Sequence, residues 1–176
     1  MASRHNADDD FEQLSPGSSS RKVPTGPSLK MRAVGLLSRR EHSRVELSRK
    51  LAPHVNPDDP DELDRVLDEL QRENWLSDER FAQSLVHRRA PRKGAALVMR
   101  ELRQHGLPEA ELAEVREQLQ ASELDRAREV WQRKFHGEPP ADRADYARQF
   151  RFMASRGFSS DCLRRILGEL DDAPPD

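Results

Sequence analysis

The sequence predicts an all-α protein built as an elongated tandem array of three three-helix units. Apolar residues recur at i, i+3, i+4 and i+7, and no stretch shows the sustained period of two that strands require. Similar helix ends recur at a spacing of about fifty residues, in 100–107 (RELRQHGL) and 151–158 (RFMASRGF). Hydrophobic and charged residues each make up 35% of the chain, which suits a thin core under a charged surface. Such units bury their apolar faces by stacking on their neighbours.

The first unit, residues 28–76, is expected to contain helices over 29–39, 44–51 and 60–73. Ser43 precedes Glu46 by three positions, a spacing that predicts a capping box at the start of the second helix. Acidic residues near Pro60 favour the start of the third helix, because they lie at the positive end of its dipole. Its buried face is expected to comprise Leu63, Val66, Leu67 and Leu70.

The second unit, residues 77–121, is expected to start with Ser77 as the N-cap of a helix whose buried face includes Phe81. A second helix follows the segment 91–94 and ends at Gly106, which is expected to adopt the left-handed conformation that closes many helices. Pro108 is then expected to open the third helix as its first residue, since proline needs no backbone N–H there.

The third unit, residues 122–171, repeats this scheme. Ser122 and Asp125 resemble a capping box, Gly157 is expected to end the second helix, and Ser159 to cap the last one. The arm 1–27 and the tail 172–176 contain too few apolar residues to offset their ordering entropy, so both are predicted to be disordered.

Nothing in the sequence indicates an enzyme, a metal site or a bound cofactor. The six histidines are scattered, no phosphate-binding glycine loop occurs, and the single cysteine, Cys162, borders an apolar stripe that favours a structural role. One cysteine also excludes an intramolecular disulfide framework. The chain shows no secretion signal and no apolar run long enough to span a bilayer, so a cytoplasmic location is expected.

A net charge of −2 conceals strong charge segregation along the chain. Residues 79–106 carry seven Lys or Arg and two acids, whereas residues 58–73 carry eight acids and two Arg. Residues 109–125 are acidic again, with six acids and one Arg. One interpretation is that basic helices simply lie beside acidic ones and pair with them; the other is that the basic groups contact an external acidic partner.

The second interpretation directs attention to basic side chains of the second and third units. Arg and Lys bind phosphate backbones without reading bases, and residues three apart on a helix share a surface. The acidic partner is expected to be nucleic acid or a protein already bound to it. The candidate contact residues are Arg88, Arg89, Arg92, Lys93, Arg100, Arg103, Arg148, Arg151 and Arg156.

Four sequence blocks resemble those of the RecX family of recombinase regulators. Residues 75–82 (WLSDERFA) resemble its hallmark, and Lys93-Gly94 with 100–106 (RELRQHG) resembles its second block. Residues 151–158 are similar to its third block, and 33–47 (AVGLLSRREHSRVEL) to its start. The resemblance covers about residues 29–170 in the family order. The chain departs from the pattern at 95–96 (AA), where the family often has Gly-Pro, and at 154–155 (AS), where it often has bulkier polar residues.

The resemblance implies a curved array of three-helix units that acts without catalysis. RecX-like proteins bind the RecA recombinase, largely as its filament on single-stranded DNA, and restrain strand exchange, ATP hydrolysis and the co-protease activity of the SOS response. A monomer, with at most weak direct DNA binding, is expected. Structural roles are assigned to Trp75, Phe81, Leu102, Gly106, Trp131, Phe150, Met153, Gly157 and Phe158.

Two other functions compete with this one. Three-helix units with short turns also resemble helix-turn-helix elements, so the chain could be a DNA-binding module acting directly on duplex DNA. No unit, however, carries a basic second helix rich in the Asn, Gln and Arg that read base edges. A purely protein-binding scaffold is the third function, and it predicts no dependence on DNA.

Overall fold

The computed structural model describes residues 26–168, and within them it confirms the predicted all-α fold. That range contains nine α-helices and no strand. Residues 1–25 of the predicted arm, and the predicted tail 172–176, lie outside the described residues. The helices are α1 (Leu29–Leu37), α2 (Arg44–Leu51), α3 (Glu62–Arg72), α4 (Asp78–Arg89), α5 (Ala95–Gln104), α6 (Glu109–Ala121), α7 (Glu123–Phe135), α8 (Arg143–Ser155) and α9 (Ser160–Leu167).

Three separate clusters of buried apolar side chains form the core, one for each set of three helices. We call α1–α3 unit 1, α4–α6 unit 2 and α7–α9 unit 3; the unit boundaries stay a prediction. Leu47 and Leu70 are fully buried in the first cluster, Phe81 and Leu102 in the second, and Met153 and Leu163 in the third. Trp131 and Phe150 pack half-buried against the third cluster. None of the helices in this part of the chain is long and apolar enough to cross a membrane.

Serine hydroxyls begin several of the helices. The hydroxyl groups of Ser43, Ser77 and Ser159 accept hydrogen bonds from backbone N–H groups three residues later, as expected of N-caps. The capping box at Ser43 is incomplete, because the Glu46 carboxylate pairs with Arg40 instead. The capping role predicted for Ser122 is wrong: its hydroxyl donates to the Gln118 carbonyl at 2.9 Å, in the helix before.

Two other predicted helix starts shift by one or two residues. Helix α3 begins at Glu62 rather than at Pro60, without a side-chain cap. Pro108 is the residue before α6 rather than its first residue, with extended backbone geometry. In both places the turn that precedes the helix extends further than the periodic pattern indicated.

Trp75 does not take the buried position that its structural assignment implies. Its residue is 46% exposed and lies outside the three clusters, whereas the adjacent Leu76 is buried in the first cluster. The reason is the end of α3, where Asn74 adopts a left-handed conformation with φ of +61°. Backbone N–H groups of Asn74 and Trp75 then donate to the carbonyls of Gln71 and Leu70, a Schellman motif that turns Trp75 towards solvent.

Units 2 and 3 are joined by direct backbone contact. The Gly94 N–H donates to the Arg156 carbonyl at 2.8 Å. A Cβ atom at Gly94 would lie 2.0 Å from the Gly157 carbonyl oxygen, so no larger residue fits there. Gly157 itself has a φ of +85°, in the left-handed region. The pair of glycines therefore lets the start of α5 lie against the end of α8.

Buried polar groups reinforce the joint between units 2 and 3. Glu123, which is 8% exposed, accepts a hydrogen bond from the Ala95 N–H at 3.0 Å and another from the Ser159 hydroxyl. The guanidinium group of Arg126 donates to the carbonyls of Ala90 and Lys93. These groups are side chains of α7 that satisfy backbone atoms between α4 and α5, so the two units share their hydrogen bonding.

Units 1 and 2 are joined through side chains. The Arg44 N–H donates to the Asp78 carboxylate at 3.1 Å, and the partly exposed Arg80 bonds Glu41 at 2.9 Å. Val45 of α2 contacts the helix end at Gly106, which has a φ of +79°. The joint therefore depends on side chains that can rotate, and several of them reach solvent.

Candidate functional site

The predicted contact residues of α4 and α5 are partly neutralised by their own neighbours. Arg89 and Lys93 both bind the carboxylate of Glu101, at 2.8 and 3.3 Å. Burial opposes ionisation of Glu101, but the hydrogen bonds from these two cations outweigh it, so the pKa of Glu101 lies below its usual range. Arg103 similarly pairs with Glu109. On α4, α5 and the turn between them, pairing within the chain therefore accounts for three of the nine predicted residues.

Four of the predicted cations are exposed and have no carboxylate partner in the described part of the chain. The guanidinium groups of Arg88 and Arg151 donate only to carbonyls one turn earlier on their own helices, Ser84 and Ala147. Arg92 and Arg100 make no ion pair with residues 26–168. Arg148 differs, because it pairs with Asp145 at 2.6 Å.

A basic groove lies where unit 2 meets unit 3. It is a hollow of about 240 Å³ whose lining has four cationic side chains and no acidic one. We call it the basic groove; its lining residues are Arg92, Val130, Arg133, Lys134, Phe152 and Arg156.

Two cations of the basic groove lie over the ring of Phe152. The guanidinium carbon of Arg156 lies 4.4 Å from the ring centroid, and the Lys134 ammonium 5.7 Å from it. Phe135 packs against the same ring edge-on, with 5.3 Å between centroids. The Arg156 Nε is buried and has no hydrogen-bond acceptor among the described residues.

The structure thus brings together only two of the nine predicted residues in this groove, Arg92 and Arg156. Arg133 and Lys134 complete it, and sequence reasoning missed both because the acids of α7 mask them in a count of net charge. An adjacent basic pair in the last turn of a helix was the available signal. Lys93 and Arg100 line a separate hollow beside α5.

The opposite charge collects in unit 2, between α4 and α6, where Gln71 of unit 1 also lies. A hollow of about 510 Å³ there has no cation in its lining, and its acids are Asp78, Glu79, Glu111 and Glu114. The acidic blocks of the sequence are therefore only partly used in pairing with basic helices.

The remaining reactive side chains offer no catalytic arrangement among residues 26–168. Cys162 is buried, and burial raises the pKa of its thiol to about 11, so it is protonated at neutral pH and a poor nucleophile. No group of three or more His, Cys, Asp or Glu in that range is placed to hold a metal ion.

Comparison with known proteins identifies relatives across most of the chain. Residues 77–115 match the family model described as the second three-helix domain of RecX, and residues 121–167 match the third. The Regulatory protein RecX of Ralstonia nicotianae is 57% identical over 150 residues, covering 85% of this chain and 92% of that protein. Its counterpart from Ralstonia pickettii is 53% identical over 151 residues, covering 85% and 93%.

Solved structures share the fold. A crystal structure of regulatory protein RecX has a TM-score of 0.64 and 20% identity, covering 80% of this chain and 74% of that one. RecX from Lactobacillus salivarius has a TM-score of 0.59 and 22% identity, covering 81% and 94%. Both share the three-helix architecture described above.

Proposed function

The chain belongs to the RecX family of non-enzymatic regulatory proteins, and we propose that it inhibits the RecA recombinase by binding RecA and its filament on single-stranded DNA. The observation that carries this proposal is 57% identity to a Regulatory protein RecX over 92% of that protein's length. Recombination, ATP hydrolysis and the SOS co-protease activity are the processes it would restrain. The place of action is the cytoplasm, with the protein acting as a monomer.

The geometry supports binding by many modest contacts along a long surface. Units 2 and 3 in tandem present cations on α4, α5, α8 and the turn after α4, and four exposed ones lack a carboxylate partner within 26–168. A filament repeats its protomers, so contacts from successive units would add through effective concentration. Long-range attraction between such cations and the negative charge of a filament that contains DNA would also speed the encounter.

The test is an ATPase assay of RecA on single-stranded DNA with this protein titrated in. Inhibition far below one molecule per recombinase would indicate capping of filament ends, and inhibition near equal amounts would indicate binding along the filament. An unchanged rate across the titration would contradict the proposal. Tight, sequence-selective binding to bare duplex DNA would instead favour the duplex-binding module.

A charge-reversal variant tests the contact surface. Arg88→Glu, Arg100→Glu and Arg151→Glu together should keep the helical circular dichroism, because none of the three has an ion pair to lose within the described range. We expect at least a tenfold weaker inhibition, since about three phosphate or carboxylate contacts would become repulsive. The matched control reverses Arg39, Arg49 and Arg72 of unit 1, which are exposed cations outside the predicted surface. Equal inhibition by both variants would contradict the surface assignment.

A further inference from the structure

The basic groove between units 2 and 3 has the features of a ligand site rather than of a solvated face. We propose that it binds consecutive phosphodiester groups of single-stranded DNA. This rests on the proposed function and deepens it, because it states which part of the protein meets the DNA strand of the filament.

The cations of the groove come from three elements that are fixed to one another. Arg92 lies on the turn Ala90–Arg92, Lys134 lies at the end of α7, and Arg156 follows α8. Arg133 ties the turn to α7 by donating to the Pro91 carbonyl at 2.9 Å. The groove is therefore built before any ligand arrives, which lowers the ordering cost of binding.

The positive charge of the groove is not neutralised within residues 26–168. Arg92, Lys134 and Arg156 make no ion pair there, and the one acid near Arg133 is Glu129, an exposed residue 3.9 Å away. Other cations of the same two units do have partners, as Arg89 and Lys93 have in Glu101, whereas Arg88, Arg100 and Arg151 have no ion pair within that range. Like charges this close to one another repel, and an anion bound between them would relieve that repulsion.

The Arg156 side chain adds an unmet hydrogen-bond donor to this charge. Its Nε is buried without an acceptor among the described residues, while the guanidinium plane is held over the Phe152 ring. A planar guanidinium group offers paired donors that match the oxygens of a phosphate. Stacking on the ring fixes its orientation and limits the entropy cost of binding.

The chemistry of the groove favours an extended single strand over other polyanions. With a volume of about 240 Å³ the groove can receive phosphate groups, while the sugars and bases of the strand lie outside it. Proteins hold single strands in basic grooves that follow the backbone and contain aromatic side chains, and this groove has both properties. Its four cations also exceed what a single carboxylate on a protein surface can neutralise, whereas a phosphodiester chain presents a charge at every nucleotide.

The experiment compares two double variants by fluorescence anisotropy of a labelled single-stranded oligonucleotide across a range of salt concentrations. Arg92→Ala with Lys134→Ala removes two groove cations that have no ion pair within 26–168. Arg39→Ala with Arg49→Ala removes the same charge from unit 1. We expect affinity to fall about tenfold for the groove variant and the salt slope to fall by about 1.4, at about 0.7 for each phosphate that is no longer neutralised. Arg92→Lys with Lys134→Arg should retain both values, since it keeps the charge.

Three outcomes would overturn the groove proposal. The groove variant and the control could lose affinity equally, the salt slope could stay unchanged, or the groove variant could lose only its binding to RecA in the absence of DNA. The last outcome would make the groove a protein-docking site. Thermal unfolding of each variant separates a folding defect from weakened binding. The ATPase titration with the unaltered protein tests the proposed function separately. If the unaltered protein inhibits the ATPase but the groove variant keeps its oligonucleotide affinity, only the groove proposal is rejected.

Discussion

The two joints of this array are built differently, although each connects one three-helix unit to the next. Between units 2 and 3, backbone lies on backbone at Gly94 and Gly157, and Glu123 is buried across the contact. Between units 1 and 2, the contacts run through side chains such as Arg80, which is partly exposed. We infer that units 2 and 3 move as one body, whereas unit 1 can change its angle with less loss of free energy.

This difference has a functional consequence for the proposed filament binding. The basic groove needs the turn of unit 2 and the helices of unit 3 in fixed positions, and the rigid joint provides them. The adjustable joint lies beside the acidic hollow and would let unit 1 follow a second protomer. We therefore expect units 2 and 3, which are rigidly joined, to hold the DNA strand, and unit 1, which can move, to adapt to the protein.

The largest effect is expected from adding one methyl group at each joint. Gly94→Ala places a Cβ 2.0 Å from a backbone oxygen that cannot move alone, and we expect a loss of about 3 kcal/mol or more in the free energy of unfolding. Gly106→Ala meets the Val45 side chain, which can rotate, and strains a left-handed residue, so about 1–2 kcal/mol is expected. Urea unfolding of both variants measures the difference.

The two tryptophans make that measurement specific to each side of the array. The chain has only Trp75, at the end of unit 1, and Trp131, in unit 3. Placing Gly94→Ala in a Trp75→Phe background leaves Trp131 to report on unit 3, and placing Gly106→Ala in a Trp131→Phe background leaves Trp75 to report on unit 1. Equal losses for Gly94→Ala and Gly106→Ala would show that the two joints are equally rigid.

A smaller effect is expected from removing one hydrogen-bond acceptor at each joint. Glu123→Ala leaves the Ala95 N–H and the Ser159 hydroxyl without their acceptor, and we expect a loss of about 2–3 kcal/mol. Asp78→Ala removes the acceptor of the Arg44 N–H where water can replace it, so about 1 kcal/mol is expected. Hydrogen exchange at the starts of α5 and α2 reads the two joints separately. A larger loss for the Asp78 change would reverse the order of rigidity.

The smallest effect is a pH dependence confined to unit 1. Burial lowers the pKa of His42, and the hydrogen bond with the Arg40 carbonyl opposes that change without cancelling it. Because the unfolded chain then binds a proton more readily than the folded one, stability should be complete above about pH 6.5 and decline as the pH falls below it.

Urea unfolding between pH 7.5 and pH 5, a range that extends on the order of one unit to either side of the ordinary pKa of His42, measures this decline in stability. Trp75 reports on unit 1, and His42→Gln should remove the decline. A Gln variant that keeps the full pH dependence would assign the effect to another group. Titration of Glu46 does not interfere in this pH range, since its pKa lies below its usual range. Burial alone would raise that pKa, but hydrogen bonding to Arg40 outweighs burial.

Sequence reasoning succeeded where structure depends on neighbours along the chain. Ser77 and Ser159 cap helices as expected, and the glycine that follows α5 is left-handed as expected, because each of these contacts spans only a few residues. It failed at Ser122, whose hydroxyl can bond backbone groups of the helix before it or of the helix after it. The hydroxyl donates to the Gln118 carbonyl of the preceding helix instead of capping α7. At Trp75 the turn at Asn74 exposes the side chain and buries the adjacent Leu76, an arrangement that the pattern along the chain does not specify.

The candidate site was predicted less completely than the fold. Charge counts identified Arg92 and Arg156 but not Arg133 and Lys134, and they gave Arg89 and Lys93 the same weight as cations that lack a partner. A count along the chain cannot tell a cation that has a carboxylate beside it from one that has none.

By itself, the sequence determined that this chain forms tandem amphipathic helices, where most of them begin and end, and which family it resembles. These properties follow from periodicity and capping within a few residues. Tertiary structure alone decided that Gly94 meets Gly157, that Glu123 bonds a backbone 28 positions away, and which cations share one groove. The physical reason is that burial and pairing depend on the distance between groups in space, and the packing of whole helices sets that distance.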